Sequence, residues 1–279
     1  MILIIGGTGT VGKHVVAFLK SKNLAYKLGL YHSHKNDDKQ VPIVPFDFDD
    51  QSTYDDALKE VDDVFFIRPP QIGDPKAFYP FIDAMKQREI KHVVFLSLMG
   101  VEKNPIPPHG KIEKYIKKQL IPYTFIRPSF FMENLITPHG KDIKETDCIV
   151  IPAKNAKTSF ISGKDIGEVI GTIFLEPQKH ANKAYTLTGK EALTYHQVAD
   201  LFTDGLGRQI RYTSPNFLRY YRHMRTRHFD RKYIIVTIFL YIMTRLNTAS
   251  DVTNTVNSLL KKDPETMKAF IERHQEVWQ

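Results

Sequence analysis

The sequence of 279 residues predicts an α/β protein, in which a doubly wound parallel sheet is followed by a smaller, mostly helical C-terminal lobe. Short apolar runs alternate with helix-patterned stretches about six times in the first half of the chain, which is typical of a parallel sheet with helices on both faces. A glycine-rich stretch directly follows the first apolar run. The alternation ends near Cys148, where a mostly helical pattern begins.

The predicted sheet elements follow from hydrophobic patterning. The first run, MILII, has the continuous apolar character of a strand buried on both faces, and KHVVAFLKSK after it has apolar residues at helical spacing. Further strands are predicted at YKLGLYH, VPIVPFD, DVFFIRPP, HVVFLSL and YTFIRPSFF, with helices at TYDDALKEV, PKAFYPFIDAMKQREI and KIEKYIKKQL between them. These elements define a first domain over residues 1–150.

The remaining residues, 151–279, predict a second, smaller lobe that is partly intertwined with the first domain. SFISGKDIGEVIGTIFLE predicts one more strand–helix pair, and AYTLTG, LTYHQVADLFTDGLG and PETMKAFIERHQEVW follow it. We expect this lobe to pack across the carboxyl edge of the sheet, where open α/β sheets bind ligands. Its most lipid-like stretch, YIIVTIFLYIMT, would span only ~18 Å as a helix against a hydrocarbon core of ~30 Å, so it predicts a buried helix and no membrane association.

Cysteine content and the N-terminus bear on location. The single cysteine, Cys148, excludes an internal disulfide and a cysteine-rich zinc site, and it suits a reducing cytosol. The first residues lack the basic and long apolar regions of a secretory signal. We therefore expect a cytoplasmic protein with no resident metal.

The net charge of +8 is concentrated in residues 208–232, where eight cations stand against one acid, Asp230. Such a segment indicates an acidic ligand or an acidic protein partner, and less strongly nucleic acid. A solvated helix face without a partner is the alternative. The cations are Arg208, Arg211, Arg219, Arg222, Arg225, Arg227, Arg231 and Lys232.

Gly6, Gly9 and Gly12 lie between the first predicted strand and helix, which is the context of a dinucleotide-binding loop. In such a loop the first glycine permits the turn, the second lets the backbone approach a pyrophosphate and the third lets the helix pack closely. The helix N-terminus directs N–H groups and a positive dipole end at the phosphates. The fold is therefore predicted to be of the Rossmann type, with cofactor contacts at Gly6, Thr8, Gly9, Thr10, Val11 and Gly12.

The stretch YHSHKNDD after the second predicted strand bears on the choice of dinucleotide. An acid here would bind the ribose 2′-hydroxyl of NAD, whereas basic groups favour the 2′-phosphate of NADP. No acid appears before Asp37, so NADP(H) is favoured over NAD(H), with the alternative that Asp37 or Asp38 reaches back. The predicted phosphate contacts are His32, Ser33, His34 and Lys35.

Further cofactor contacts are predicted where the third and fourth strands end. Asp47 is placed to accept a hydrogen bond from the adenine amino group, with Phe48 against the ring. Arg68 and Pro69 are expected to line the cofactor's ribose, and Arg68 to reach a phosphate. A rim salt bridge is the alternative for Arg68.

Together, GGTGTVG, FDFDDQSTYDDALKEVDDVFF, HVVFLSLMGV, HGKIEKYIKKQLIPYTFIRPSFFMENL, FISGKDIGEV and AYTLTGKEALTYHQVADLF resemble the NmrA-like branch of the atypical short-chain dehydrogenases. The likeness runs over nearly the whole chain in the same order. It implies a Rossmann domain, a small helical lobe and a cleft between them. The chain is similar both to NADPH-dependent quinone reductases of that branch and to non-catalytic members that sense NADP(H) and bind regulators.

The wider superfamily uses a Tyr-x-x-x-Lys acid, which is absent from its expected place because Gln119 stands four residues after Tyr115. His109 and Glu113 instead resemble the H-x-x-x-E-K of the quinone-reductase-like branch, and Ser97 matches the family's serine at the tip of the fifth strand. The resemblance implies His109, Ser97 and Glu113 as catalytic candidates, with Ser97 also contacting the cofactor. The alternative for His109 is an exposed side chain paired with Glu113.

Quinone reduction needs no dedicated general acid, because hydride transfer yields a stabilised hydroquinone anion that solvent can protonate. Pro128 is predicted to wall the nicotinamide end, and Phe130, Phe131 and Asn134 to contact substrate. The sequence therefore favours an NADPH-dependent oxidoreductase that reduces a quinone or another small carbonyl electrophile, as a monomer or homodimer. The alternative is a non-catalytic NADP(H)-sensing regulator that binds a protein partner.

Overall fold

The structure is a computed structural model that describes residues 1–31, 41–104 and 106–279. The strands, in chain order, are β1 (Ile2–Ile5), β2 (Tyr26–Leu30), β3 (Ile43–Pro45), β4 (Asp63–Ile67), β5 (His92–Leu96), β6 (Tyr123–Pro128), β7 (Cys148–Val150), β8 (Lys157–Thr158), β9 (Lys183–Leu187), β10 (Leu193–Thr194) and β11 (Arg211–Thr213). The helices are α1 (Gly12–Ser21), α2 (Tyr54–Leu58), α3 (Tyr79–Gln87), α4 (Pro108–Lys118), α5 (Gly140–Thr146), α6 (Gly163–Leu175), α7 (Pro177–His180), α8 (Tyr195–Leu206), α9 (Phe217–Thr226), α10 (Arg231–Arg245), α11 (Thr255–Leu260) and α12 (Met267–His274).

The main sheet has seven strands in the order β3-β2-β1-β4-β5-β6-β9, and every neighbouring pair is parallel. Strands β1 and β5 are buried along their whole length, as continuous apolar runs require when helices cover both faces. The order reverses between β1 and β4, so the carboxyl ends of these two strands flank the position where open α/β sheets bind ligands. The predicted doubly wound Rossmann-type fold is confirmed.

The seventh strand, β9, comes from the AYTLTG segment that the sequence analysis assigns to the C-terminal lobe. It pairs in parallel with β6, with Ile126 opposite Tyr185, and so extends the main sheet. The local sequence of β9 does not predict its pairing with β6, because pairing between strands far apart in the chain depends on tertiary packing.

The chain forms two compact units. The boundary between them is not a single point near residue 150, as predicted, because each unit contains two separate segments of the chain. The first unit contains Met1–Pro128 and Gly163–Leu187, and the second contains Ser129–Ser162 and Thr188–Gln279. The chain therefore passes between the units three times. As a result, α6 and β9 belong with the Rossmann-type sheet, whereas residues 129–150 belong with the mostly helical unit.

In the first unit, α6 packs against α1 with very little space between the two backbones. A Cβ added at Gly167 would overlap the Cβ and backbone of His14, and one added at Gly171 would overlap the ring of Phe18. Glycine at both positions lets two helices approach more closely than side chains would allow. The returning segment of chain is thus fitted to the helix that follows the glycine loop.

We expect Gly167→Ala to destabilise the protein. Overpacking typically costs about 1–3 kcal/mol, and the helix propensity gained by replacing glycine, about 1 kcal/mol, offsets only part of this. Gly73→Ala is the matched control, because its added Cβ meets no atom within 4 Å. Chemical denaturation of both variants checks the prediction, and equal stability of the two would contradict the close approach of α1 and α6.

The second unit has its own core and two small sheets. Strand β8 pairs with β10 in antiparallel fashion, and β7 pairs with β11 in parallel. The core is built from large aromatic side chains, and the Trp278 indole Nε1 donates a hydrogen bond to the Leu135 carbonyl at 3.0 Å. The fully buried aromatic residues include Tyr195, Phe202, Tyr220, Phe270 and Trp278.

Helix α10 contains the lipid-like stretch predicted to be a buried helix, and that prediction is wrong for its outer side. Ile234, Tyr241 and Thr244 are buried, whereas Ile235 is 61% exposed and Val236 is 54% exposed. The sequence is apolar on all sides of this helix, so composition alone does not say which stripe is covered. Within the part of the chain that the structure describes, no helix has the length and apolar character needed to cross a membrane.

Candidate functional site

The glycine loop turns directly off β1. Gly6 has a φ of +86°, a left-handed backbone conformation that favours glycine, and its carbonyl accepts a hydrogen bond from the Gly9 N–H at 3.1 Å. A Cβ at Gly12 would overlap the same Gly6 carbonyl, so α1 can begin this close to β1 only with glycine there. The predicted roles of Gly6 and Gly12 in the turn and the close packing agree with this geometry.

The N-terminus of α1 has the features of an anion site. Val11 occupies the N-cap position without a side-chain hydrogen bond, and the first turn contains no acid. The N-terminus of a helix carries the positive end of its dipole, which attracts anions. The Lys13 N–H donates to the Gly9 carbonyl at 3.1 Å and is therefore already used. Thr8, Gly9 and Thr10, which precede the helix, are exposed. The exposed loop and the dipole of α1 fit a dinucleotide's phosphates.

The predicted adenine contacts divide between a turn and the core. One carboxylate oxygen of Asp47, Oδ1, accepts a hydrogen bond from the Asp49 N–H at 2.9 Å and so stabilises its own turn. Phe48 is buried among core rings, 4.7 Å from Phe78 and 4.8 Å from Phe46 between centroids. The expectation that its ring faces adenine is therefore corrected, because the aromatic core occupies that ring. The predicted 2′-phosphate contacts, His32, Ser33, His34 and Lys35, lie outside the described residues.

Arg68 follows β4 and holds the loop in which it lies. Its Nη1 donates to the Pro69 carbonyl at 3.1 Å and to the Ile72 carbonyl at 2.7 Å. Its Nε donates to His109 Nε2 at 3.5 Å, and burial lowers the pKa of the guanidinium. All of these acceptors are carbonyls or an imidazole. Among the described residues, Arg68 therefore does not form the rim salt bridge considered as the alternative.

His109 is the second residue of α4, and its ring is held in one tautomer. Because arginine only donates, the bond from Arg68 requires Nε2 to be the acceptor and puts the proton on Nδ1. That Nδ1 is buried and has no hydrogen-bond partner among the described residues. Burial, followed by the charge of Arg68, lowers the pKa of His109 to about 3. At neutral pH this side chain is an uncharged donor with an unfilled N–H.

Ser97 and Glu113 form a buried cluster with Arg127, a residue that the sequence analysis missed. Ser97 Oγ donates to Glu113 Oε1 at 2.5 Å, and Arg127 binds both carboxylate oxygens, from Nε at 3.0 Å and from Nη2 at 2.6 Å. Arg127 Nη1 also lies 3.2 Å from Glu102 Oε2. The available signal was a lone arginine within the apolar strand YTFIRP.

This cluster decides what Glu113 can do. Its carboxylate is buried and both oxygens are already occupied, so the alternative of a His109–Glu113 pair is not formed. Glu113 instead orients the Ser97 hydroxyl and neutralises Arg127. Its role in the arrangement is to position Ser97, which lies one residue after β5.

Several of the predicted residues meet at one edge of the sheet. The glycine loop follows β1, Arg68 and Pro69 follow β4, Ser97 follows β5, and Pro128 ends β6, where its carbonyl accepts from the Met99 N–H at 3.1 Å. Parallel strands end at the same edge, and these four are consecutive in the sheet.

The predicted substrate contacts belong to the second unit. Phe130, Phe131 and Asn134 are half-buried, and the ring of Phe130 lies 6.2 Å from that of Tyr241. The Asn134 carbonyl accepts a hydrogen bond from the His139 N–H at 3.2 Å.

The basic segment of the second unit is divided between inner and outer positions. Arg208 pairs with Asp147 and donates to the Trp278 carbonyl at 2.7 Å. Arg227 binds Asp142 and also Glu145, the latter at 2.6 Å. These two cations stabilise the unit and are not free to attract a partner. The exposed members of the segment are Arg211, Arg219, Arg222, Arg225, Arg231 and Lys232.

We expect Glu113→Gln to destabilise the protein by roughly 3 kcal/mol or more, because it leaves the charge of Arg127 without its buried partner. Glu102→Gln is the matched control, since that carboxylate contacts the same guanidinium from an exposed position and should change stability by less than about 1 kcal/mol. Urea unfolding at neutral pH measures both. A larger loss in the Glu102 variant would contradict the assignment of Glu113 as the main partner.

The chain belongs to the NmrA-like family, whose model matches residues 1–271. The chain is similar in sequence to several named proteins. Prestalk A differentiation protein A of Dictyostelium discoideum is 28% identical over 276 residues, with 96% of this chain and 90% of the relative covered. Agroclavine dehydrogenase of Claviceps fusiformis is 28% identical, with 99% and 98% covered. NAD(P)H azoreductase of Xenophilus azovorans is 30% identical, with 77% of each covered.

Solved structures share the fold at lower identity. The triphenylmethane reductase of Citrobacter sp. superposes with a TM-score of 0.89 at 19% identity, with 99% of both chains covered. An NADPH-dependent quinone oxidoreductase of Escherichia coli, complexed with NADPH, superposes with a TM-score of 0.88 at 19% identity, covering 98% of this chain and 99% of its own. The negative transcriptional regulator NmrA, in complex with NADP, gives 0.78 at 15% identity, covering 99% and 95%.

Proposed function

We propose that this chain is an NAD(P)H-dependent oxidoreductase that reduces a quinone or another small carbonyl electrophile, with NADPH as its preferred cofactor. The observation that carries the proposal is the neutral, half-buried His109, whose Nδ1–H has no partner among the described residues and which Arg68 places at the sheet edge that also bears the glycine loop. The similarity to an azoreductase and a dehydrogenase supports the reaction class.

The glycine loop and the N-terminus of α1 would hold the dinucleotide's phosphates. NADPH, when bound, supplies a hydride. Thr8 and Thr10 are exposed beside the start of α1, which no side chain caps and whose dipole favours an anion. The preference for NADPH rests on the sequence of residues 32–35, which brings two imidazoles, a hydroxyl and an ammonium to the stretch that follows β2.

His109 would donate a hydrogen bond from Nδ1–H to the acceptor's oxygen. As the acceptor gains a hydride, its oxygen gains negative charge, and a fixed donor in a buried site stabilises that charge. The donor keeps its proton because the pKa of neutral imidazole N–H is far above that of a hydroquinone. The hydride gives the hydroquinone monoanion, and the one proton still needed comes from water, which leaves the hydroquinone as product.

Ser97 and Pro128 would line the nicotinamide end of the cofactor. The Ser97 hydroxyl donates to Glu113, so its oxygen faces a ligand as an acceptor only. We also propose substrate contacts for Phe130, Phe131 and Asn134, because these residues follow Pro128 closely in the chain.

A regulator that binds NADP(H) without turnover is the second candidate. Two observations favour it: the exposed cations of residues 208–232, which a small uncharged quinone does not need, and the fold shared with a transcriptional regulator. Both candidates require the same loop, so binding of NADPH alone does not separate them.

We expect the purified protein to oxidise NADPH when menadione or benzoquinone is added, and to bind NADPH more tightly than NADH. Absorbance at the NADPH band follows turnover, and fluorescence titration follows binding. Tight binding of NADPH with no turnover of any acceptor would overturn the enzyme proposal in favour of the regulator. Tighter binding of NADH would overturn the preference for NADPH.

We expect His109→Phe to lower kcat by roughly a hundredfold, the usual effect of removing one donor at a developing oxyanion, while NADPH affinity stays within about twofold. His109→Gln, which keeps a neutral N–H donor, should retain more activity than His109→Phe. Lys111→Ala, an exposed change on the same helix, should leave kcat unchanged.

The pH profile gives a separate prediction. Because the pKa of His109 is lowered to about 3, its ring stays neutral over the usual assay range, and wild-type turnover should show no ionisation near 6.5 that His109→Gln removes. An ionisation near 6.5 in kcat that is lost in His109→Gln would identify a protonated imidazole as the donor and contradict the neutral-donor role.

A further inference from the structure

Helices α9 and α10 form an antiparallel hairpin, residues 217–245, in the second unit. The Arg245 guanidinium lies 4.3 Å from the centroid of the Phe217 ring, which joins the end of α10 to the start of α9. At the other end, Arg225 Nη1 donates to the Phe229 carbonyl at 2.9 Å, and the rings of Phe229 and Tyr233 stack 5.3 Å apart.

The inner face of the hairpin packs into the second unit. Its apolar side chains are buried in the core of the second unit, where the ring of Tyr220 packs 5.8 Å from that of Tyr241. Its inner polar groups are paired with one carboxylate on α5, since Asp142 accepts from His223 Nε2 at 2.7 Å and from Arg227 Nε at 2.8 Å. The hairpin is therefore held in one orientation.

The outer face of α10 is a continuous apolar stripe. Ile235 and Val236 are more than half exposed, Ile242 is 38% exposed and Leu246, just past the helix, is 66% exposed. Phe239 lies between them on the same helical face, because residues three or four apart share a face. Leu218, near the start of α9, is a further exposed apolar residue.

Exposed cations stand beside this stripe. Lys232 and Arg231 begin α10, and Arg219, Arg222 and Arg225 recur at helical spacing on the exposed side of α9. The one acid among residues 217–246, Asp230, accepts the N–H of Lys232 at 2.7 Å and is used as the cap of α10. Among the described residues, Arg219, Arg222 and Arg231 form no ion pair.

We propose that the outer face of this hairpin docks on an anionic lipid surface, with the apolar stripe of α10 entering the headgroup region and the cations binding lipid phosphates and carboxylates. A helix with an exposed apolar stripe flanked by arginine and lysine is typical of interfacial attachment, which combines apolar insertion with attraction to anionic lipid. The attachment is peripheral and involves no span of the bilayer.

Charge favours this occupant over others. An isologous contact with a second copy would bring the same cations of both copies to one interface, which opposes association. Nucleic acid would match the cations but would leave the apolar stripe in water. An anionic bilayer matches both parts of the face.

Sedimentation with vesicles tests the proposal, using phosphatidylcholine alone or mixed with phosphatidylserine in roughly a three-to-one ratio. The full chain should sediment with the mixed vesicles, much less with phosphatidylcholine alone, and less as salt rises. Equal partition into both vesicle types, or none into either, would overturn the proposal.

Matched variants identify the face. Ile235→Asn with Val236→Asn should lower partition into mixed vesicles roughly tenfold, whereas Val252→Asn, a comparably exposed valine elsewhere in the unit, should not. Arg219→Glu with Arg222→Glu should lower it similarly, whereas Lys111→Glu with Lys114→Glu on exposed positions of α4 should have little effect. Unchanged partition of both hairpin variants would overturn the assignment.

The same variants are used to check folding and to test two other binding partners, a second copy of the chain and an acidic protein. The fluorescence of Trp278, the one tryptophan in the sequence, reports whether each variant retains its buried core. A solution dimer that becomes monomeric in the Ile235/Val236 variant would overturn the proposal in favour of a second copy. Binding to an acidic polypeptide, with no binding to mixed vesicles, would overturn it in favour of a protein partner.

Discussion

The close approach of Gly12 to the Gly6 carbonyl is the constraint on which the first unit depends. It sets where α1 starts, and therefore where its uncapped N-terminus lies relative to the edge between β1 and β4. The same helix then receives α6 through Gly167 and Gly171, so the segment that returns from the second unit is positioned by α1. One steric condition at the start of the chain thus governs both the anion site and the packing of a helix more than 150 residues later.

The two arginines at the carboxyl edge of the sheet are both held by the protein itself. Arg68 is held by carbonyls and by His109, and Arg127 is held by two carboxylates. Only the charge of Arg127 is neutralised, because carbonyls and a neutral imidazole leave the charge of Arg68 in place. The remaining positive charge favours negative charge that develops beside it.

The sequence predicts those features whose causes are local, and it fails where the cause is a distant partner. The glycine loop and the first six strands are encoded by adjacent residues, and each was predicted from them. The burial of Phe48, the parallel pairing of β9 and the Arg127–Glu113 pair depend on residues brought together only by tertiary packing. The resemblance implies Glu113 as a candidate but not its partner, because Arg127 lies 14 residues away on the next strand.

The charges of residues 208–232 are a further feature that the sequence alone does not predict correctly. Its sequence suggests one uniformly attractive patch, but the fold divides it, with Arg208 and Arg227 neutralised inside the second unit and the remaining cations left on its surface. The same helices leave an apolar stripe beside those cations. Neither feature alone would distinguish a solvated face from a binding face, since exposed arginines and single exposed apolar residues are both ordinary. Their coincidence on the outer face of a hairpin whose inner face packs into the core is the basis for the proposed docking on an anionic lipid surface.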